Sequence, residues 1–324
     1  MPATPTISVV IPAYNAQRYL REAVTSVLAQ SFADFECIIV DDGSTDQTAA
    51  IIADLASHDA RVRPLSVPHG GIVAALNAGV EAARAELIAR MDADDICLPE
   101  RFERQLEYLR RDCGCVALGC RVLTVDPYGS PLWETDQKLT SEEIEASLLR
   151  GNGLAMCHPT VIMRKRAVIA AGMYAAKYQW VEDLDLFLRL AEIGRVANLP
   201  DVLLHYRQHF GSVNKHKAKL QEQIKEQLLA DAFRRRGLPP PGPGQIDHAK
   251  YLEPIQQLQT WACAALRRGN TGIARKHAWT AVRAAPMCYG AWWLMYQSMR
   301  GRPWGNTPRT SSSAERVEGV GYAK

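Results

Sequence analysis

Three short apolar runs, ISVVI at 7–11, FECIIV at 35–40 and LIARM at 87–91, each end in a polar turn. Stretches with helical periodicity separate them, and this alternation constrains the fold more than any other feature of the chain. Leu20, Ala23, Val24, Val27 and Leu28 fall at i, i+3, i+4, i+7 and i+8, one apolar stripe on a helix beginning near Arg18. Ser44 and Gln47 have capping-box spacing for a second helix, whose inner face is Ile51, Ile52 and Leu55. Residues 62–67 read as another strand, Gly70-Gly71 as a loop, and a third helix runs to about Arg84. Strands alternating with helices predict an α/β fold with a parallel sheet covered on both faces.

Beyond residue 99 the pattern loosens. Pro99 suits the first position of a helix whose Phe102, Leu106 and Leu109 face inward. Residues 116–124, 154–163 and 203–208 read as strands, and 182–193 as a helix. A long helix carrying Leu220, Ile224 and Leu228 ends near Arg236, and the breaker run LPPPGPG follows. The chain therefore divides into a main domain at 1–237, a Pro/Gly linker at 238–248, a helical hairpin at 249–302 and a tail at 303–324 expected to lack fixed structure. In the hairpin, Leu266, Gly269, Ala274, Ala278, Ala281 and Pro286 resemble one tetratricopeptide-type repeat. One such unit is too small to stand alone, so it is expected to pack on the main domain or on a protein partner.

Composition narrows the classes. The 324 residues are 47% apolar and 23% charged, as in a soluble globular protein of about two domains. No run approaches the roughly 18 apolar residues of a membrane span, and no basic segment precedes the first apolar run, so no cleaved leader is expected. The eight cysteines form no C-x-x-C pair and read as reduced core residues of a cytoplasmic protein. Charge is uneven: residues 1–204 hold 19 Lys+Arg against 28 Asp+Glu, and residues 205–324 hold 19 against 7. The basic part also carries Trp261, Trp279, Trp292, Trp293 and Trp304. Either these belong to packing and a solvated helical surface, or the region is drawn to an anionic membrane face or a phosphate-bearing substrate. Its cations are too diffuse for nucleic acid, and no nucleic-acid motif is present.

The chemistry sits at strand ends, where open parallel sheets bind ligands. The first run leads into Pro12-Ala13-Tyr14-Asn15 and the second into Asp41-Asp42-Gly43-Ser44. A carboxylate beside an aromatic ring can accept from a base N–H while the ring covers the base. The same residues can also merely form the turn. No G-x-G-x-x-G follows a strand, which argues against a dinucleotide site. The third run ends in Asp92-Ala93-Asp94-Asp95. Three carboxylates in four residues repel one another, and at a buried strand end they call for a cation. Hard oxygen ligands suit Mg²⁺ or Mn²⁺. The alternative is a solvated acidic turn before a helix.

Taken together, VVIPAYNAQRYLREAVTSVLAQSFADFECIIVDDGSTD, HGGIVAALNAGVEAARAELIARMDADD and PERFERQ resemble glycosyltransferase family 2, of the GT-A fold, over roughly residues 5–212. The resemblance implies a Rossmann-like, mostly parallel sheet flanked by helices, with the small helical region added at the C-terminus. It implies inverting transfer of a sugar from a nucleoside diphosphate sugar to a carbohydrate or lipid-linked hydroxyl, with Mn²⁺ or Mg²⁺. On this chain Pro12, Tyr14, Asn15, Asp42, Gly71, Asn77 and Asp92 would hold the donor nucleotide, Asp42 reading a uracil-type edge. Asp94, Asp95 and His209 would hold the metal, and His209 and Ser212, in YRQHFGSVN, would close over the diphosphate. GMYAAKYQWVEDLDLFLRL resembles the E-D motif, with Asp183 as base and Glu182 orienting it; the alternative is that these acids only charge a helix start.

His158, in HPTVIMRKR, either lines the acceptor side or is a core histidine. Arg164, Lys165 and Arg207 are further phosphate candidates. Many relatives carry Arg-Asn after the Gly-rich loop, where this chain has Ala75-Leu76-Asn77, so no Arg contact to the donor is expected there. By the same resemblance the setting is cell-surface polysaccharide or lipopolysaccharide assembly, in the cytoplasm or at the inner face of the membrane. A sugar nucleotidyltransferase, or a non-catalytic nucleotide-sugar-binding or scaffold protein, is the alternative.

Overall fold

β1 (Ile7–Ala13) is buried at every residue, as β-branched runs are when a sheet is covered on both faces. It is followed by α1 (Leu20–Leu28), β2 (Phe35–Asp41), α2 (Thr48–His58), β3 (Val62–Ser66), α3 (Ile72–Ala82) and β4 (Leu87–Arg90). The computed structural model describes residues 4–210, 215–242, 244–248 and 252–300, without side chains at 215–217. Strands β3, β2, β1 and β4 lie side by side, all parallel. The chain continues through β5 (Ile96–Cys97), α4 (Arg101–Arg111), β6 (Cys115–Val125), β7 (Pro131–Glu134), α5 (Ser141–Leu149), β8 (Ile162–Arg164), α6 (Lys165–Ala170), α7 (Glu182–Ala191) and β9 (Arg195–Arg207).

Past β4 the sheet order is β8, β6, β9, β5, with β7 hairpinned onto β6. Here β6 and β9 run parallel and the other pairings are antiparallel. The sheet is thus parallel across its first four strands and mixed beyond. One face packs Val24, Ile52, Phe102 and Leu106 of α1, α2 and α4. The other packs Leu76, Leu148, Val168 and Phe187 of α3, α5, α6 and α7, with Leu228 of α8 (Lys215–Arg235).

Several local expectations give way to tertiary contacts. The capping box at Ser44 and Gln47 does not form. Ser44 Oγ instead accepts from the Asn15 N–H at 3.0 Å, and α2 starts at Thr48, whose N–H donates to Asp46 Oδ1. Residues 154–163 are not one strand. Two 3₁₀ turns, Gly153–Ala155 and His158–Thr160, precede the short β8, because Pro159 has no N–H to give a ladder and Cys157 O accepts from Thr160. Pro99 lies in the turn before α4, with Glu100 as its N-cap. Leu220, expected inside, is exposed. The Pro/Gly segment lies on the main body: Ile246 packs on the core, and the Asp247 N–H donates to Arg150 O at 2.6 Å.

The expected hairpin is three helices, α9 (Pro254–Arg267), α10 (Thr271–Ala284) and α11 (Tyr289–Arg300). Pro286 ends one helical run, but the apolar pattern resumes three residues later. The trio packs on the main domain through Leu258, Trp261 and Val282 against Leu132 and Trp133 of β7. Trp261 is fully buried; its Nε1–H donates to Gln208 Oε1 at 3.0 Å and its ring lies 4.8 Å from Phe210. His277 Nε2 pairs with Asp126 Oδ2 at 2.9 Å, both buried. Burial opposes the charge on Asp126, yet the His277 bond and the N–H groups of Ser130 and Tyr128 hold its carboxyl below the usual range. Trp293 is part-buried and Trp279 and Trp292 are exposed, while Trp304 lies outside the described residues.

None of the eight cysteines forms a disulfide. Burial pushes the thiols of Cys37, Cys115 and Cys120 up to about 12. Among the described residues no helix is long and apolar enough to cross a membrane.

Candidate active site

The C-terminal ends of β1 and β2 are fixed by register, Pro12 opposite Val40 and Ala13 opposite Asp41. The loops that leave them are tied together. Asn15, at φ 50°, accepts the Thr45 N–H at 2.9 Å through Oδ1, in a left-handed conformation that Asn tolerates. Asp41 Oδ1 accepts from the Ser44 N–H at 3.0 Å and makes the turn. Asp42 is buried and does something else. Its Oδ1 accepts from the Gly70 N–H at 2.8 Å and its Oδ2 from the Gly71 N–H at 3.0 Å. His69 Nδ1 lies 2.9 Å from the same Oδ2, and the His69 ring stacks on Tyr14 with centroids 4.2 Å apart. Gly71 caps α3 at φ 82°, a conformation that favours glycine. Asn77 bonds the Tyr174 backbone with both ends of its amide, so it joins α3 to the segment before α7.

The acidic tip leaves β4 and enters β5, and two arginines hold it from behind. Arg101, fully buried, donates to Arg90 O at 2.9 Å. The Arg207 backbone N–H donates to Asp95 Oδ1 at 2.8 Å, and its Nε–H to Asp94 O at 2.7 Å. Asp95 is therefore wholly buried and tied to β9. Asp94 Oδ2 is 2.9 Å from His209 Nε2. Asp92, Asp94 and Asp95 each offer a carboxylate oxygen within 4.8 Å of the others. Three hard oxygens with an imidazole beside them fit Mg²⁺ or Mn²⁺. Ser212 lies outside the described residues.

Beside the tip, a cavity of about 330 Å³ is lined by Arg90, Asp92, His158, Trp180, Glu182, Asp183 and Lys225, among others. Arg90 Nη1 lies 2.5 Å from Asp92 Oδ1. Burial opposes the Arg90 charge, but Asp92 outweighs it and the guanidinium is held above its ordinary range. Glu182 and Asp183 open α7. Burial, then the neighbouring Asp183 charge, pushes Glu182 up to about 7, and its Oε2 is buried without a hydrogen-bond partner. Burial also raises Asp183, although the Leu184 N–H donates to its Oδ1 at 2.7 Å and Arg90 favours its charge. His158 both lines the cavity and is bonded within it, its Nε2 2.8 Å from Tyr174 Oη. Trp180 stands at φ 81°, and its carbonyl accepts from Gln221.

The sequence reading missed Arg90 and His69. Arg90 sits in an apolar strand, and nothing local shows three carboxylates converging on it. The HGG preceding α3 was the only hint of His69. Arg164 and Lys165 lie elsewhere: Arg164 donates to Cys115 O and Leu109 O, and Lys165 to Ala83 O.

Against this geometry stand the comparisons with known proteins. The glycosyl transferase family 2 model matches residues 8–172, about half of the chain. An amylovoran biosynthesis glycosyltransferase of Erwinia amylovora is 34% identical over 65% of this chain and 79% of its own length. A hyaluronan synthase of Pasteurella multocida is 28% identical over 72% of this chain but only 24% of its own length. Among solved structures, S. aureus TarS in complex with UDP-GlcNAc aligns with a TM-score of 0.56 over 92% of each chain at 18% identity. A Pyrobaculum calidifontis mannosyltransferase in complex with GDP-Man and Mn²⁺ aligns at 0.51 over 92% of this chain and 81% of that one, at 17% identity. The fold is GT-A, and this chain belongs to glycosyl transferase family 2 and is a glycosyltransferase.

Proposed function

We propose that this enzyme moves a sugar from a nucleoside diphosphate sugar, with UDP the nucleotide, to a carbohydrate or lipid-linked hydroxyl, inverting the anomeric centre. It needs Mn²⁺ or Mg²⁺, and it works on a cell-surface polysaccharide from the cytoplasm, at the inner face of the membrane. One observation carries the reading: Asp92 of the strand-end tip and Asp183 of the first turn of α7 line one cavity, together with Arg90, which pairs with Asp92. The names of the amylovoran and hyaluronan relatives support the polymer setting, and the nucleotide sugars in the solved relatives support the donor class.

The chemistry follows from what each side chain can do. Tyr14, exposed and stacked on His69, offers apolar surface to the base, with the buried Pro12 shaping the strand end beneath it, and Asp42, held by two glycine N–H groups, offers its remaining lone pairs to a base N–H. Asp183 takes the proton of the acceptor hydroxyl. Its Oδ1 is engaged by Leu184, and Gly153 leaves room beside Oδ2. The acceptor oxygen bonds to the anomeric carbon as the bond to the diphosphate oxygen breaks, and the electron pair leaves on the diphosphate. Glu182, pushed up to about 7, keeps its proton below neutrality and there spares Asp183 a second negative charge. Asp94, with His209 and the neighbouring tip carboxylates, would hold a divalent cation, which would supply positive charge for the diphosphate.

The experiment is a product assay over a panel of nucleoside diphosphate sugars, with Mn²⁺ or with excess chelator. Release of nucleoside diphosphate that stops on chelation and in Asp94→Ala is expected. Release of pyrophosphate would point to nucleotidyl transfer, and full activity in chelator would remove the metal.

A further inference from the structure

Helix α11 has two apolar faces, and among the described residues only one is packed against other elements. Ala291, Leu294 and Ser298 are buried against α9 and α10. On the opposite side Tyr289, Trp292, Tyr296 and Met299 recur at i, i+3, i+7 and i+10, a stripe along the full helix. They are 81%, 49%, 51% and 57% exposed, and Met287 in the preceding turn is 97% exposed. None of them lines the cavity. The platform beneath is fixed, since Trp261 and His277 anchor α9 and α10 to the main domain.

We propose that this face of α11 docks the enzyme on an anionic lipid bilayer, lying in the plane of the headgroups. Three observations choose that occupant. The first is residue type. The buried positions of α11 itself are Ala291, Leu294 and Ser298, whereas its outer stripe uses Trp, Tyr and Met, including rings with a polar tip that settle at a membrane–water boundary. The second is charge. Residues 254–300 contain six Lys+Arg and no Asp or Glu. Cations stand at both ends of the stripe: Arg283 in the last turn of α10, Arg275 donating to Ser298 O at 3.2 Å, and Arg300 at 5.5 Å over the Tyr296 ring. A protein partner would have to be acidic throughout, whereas an anionic leaflet presents that charge everywhere. The third is length. α11 has 12 residues, too few to cross a bilayer, which takes about 20, but enough to lie along its surface. The Trp292 Nε1–H donates to Pro286 O at 2.8 Å, which holds the indole beside Met287 at one end of the stripe.

The proposal is independent of the reaction, so its test is too. Flotation of the full chain with vesicles of phosphatidylcholine alone, or mixed with phosphatidylglycerol, is expected to give binding to the mixed vesicles only. Binding should weaken with salt and shift tryptophan emission to shorter wavelength. Arg283→Gln and Arg300→Gln should each lower partitioning about fivefold. Trp292→Ser with Tyr296→Ser should abolish it, while thermal midpoint and donor turnover stay unchanged. If that pair unfolds, Met287→Ser with Tyr289→Ser, at the two most exposed positions, makes the same test. Absence of binding to mixed vesicles at low salt would overturn the proposal. So would unaltered binding in a folded stripe variant, or a stripe-dependent dimer in light scattering without lipid binding, which would make the face a contact between copies.

Discussion

The wall at the ends of β1 and β2 and the cavity floor at the start of α7 are both built on buried carboxylates, and they treat charge in opposite ways. In the wall, Asp42 accepts from two backbone N–H groups and faces His69. In the floor, Glu182 keeps a buried oxygen without a partner, and Arg90 is the nearby cation for Asp92, Glu182 and Asp183. A carboxylate whose two oxygens are each held by a fixed donor orients loops and presents a constant surface. One left undersaturated by burial holds a proton that chemistry can move. Under the proposed function, the wall serves shape and the floor proton transfer.

Removing Arg90 should separate the two plans most sharply. Arg90→Met removes a buried cation from beside Asp92 and the α7 acids. We expect a loss of about 3–5 kcal/mol in denaturant unfolding, and an acid limb of the rate profile moved to higher pH. If stability and profile both hold, Arg90 does not govern the floor. Asp42→Asn tests the wall. One of two backbone donors loses its carboxylate acceptor, costing about 1–3 kcal/mol, with a higher donor KM but no shift in the pH profile. A shifted profile would erase the distinction between wall and floor.

Glu182→Gln should act the other way. The folded pKa of Glu182, about 7, lies above its unfolded value near 4.5. The native state therefore carries a penalty above about pH 7 that fades as pH falls toward the unfolded value. The amide removes that penalty, so a gain on the order of 1–2 kcal/mol is expected in mildly alkaline buffer, shrinking toward zero in acid. A thermal midpoint unchanged across pH would contradict the shift.

How legible each region was in the sequence follows the same division. β1 to β4 are buried runs of Ile, Val and Leu separated by helix-periodic stretches, so local pattern and tertiary environment agree. The DADD tip was legible because crowded carboxylates at a strand end are costly whatever lies around them. What escaped the sequence depends on distant partners. Ser44 loses its capping role to Asn15, 29 residues away, and Asn77 is taken up by Tyr174, 97 away. Arg90 reads as a stray charge in an apolar strand until the tip and α7 are folded around it. The third C-terminal helix hid behind Pro286, which breaks the pattern locally but leaves room for α11.

The most direct measurement is turnover and donor affinity of Asp183→Asn, whose amide matches the carboxylate in shape but cannot take a proton. The account predicts a fall in kcat of about 10²–10⁴-fold, with donor affinity and thermal midpoint close to wild type. Turnover equal to wild type would contradict it, because some other group would then be accepting the proton.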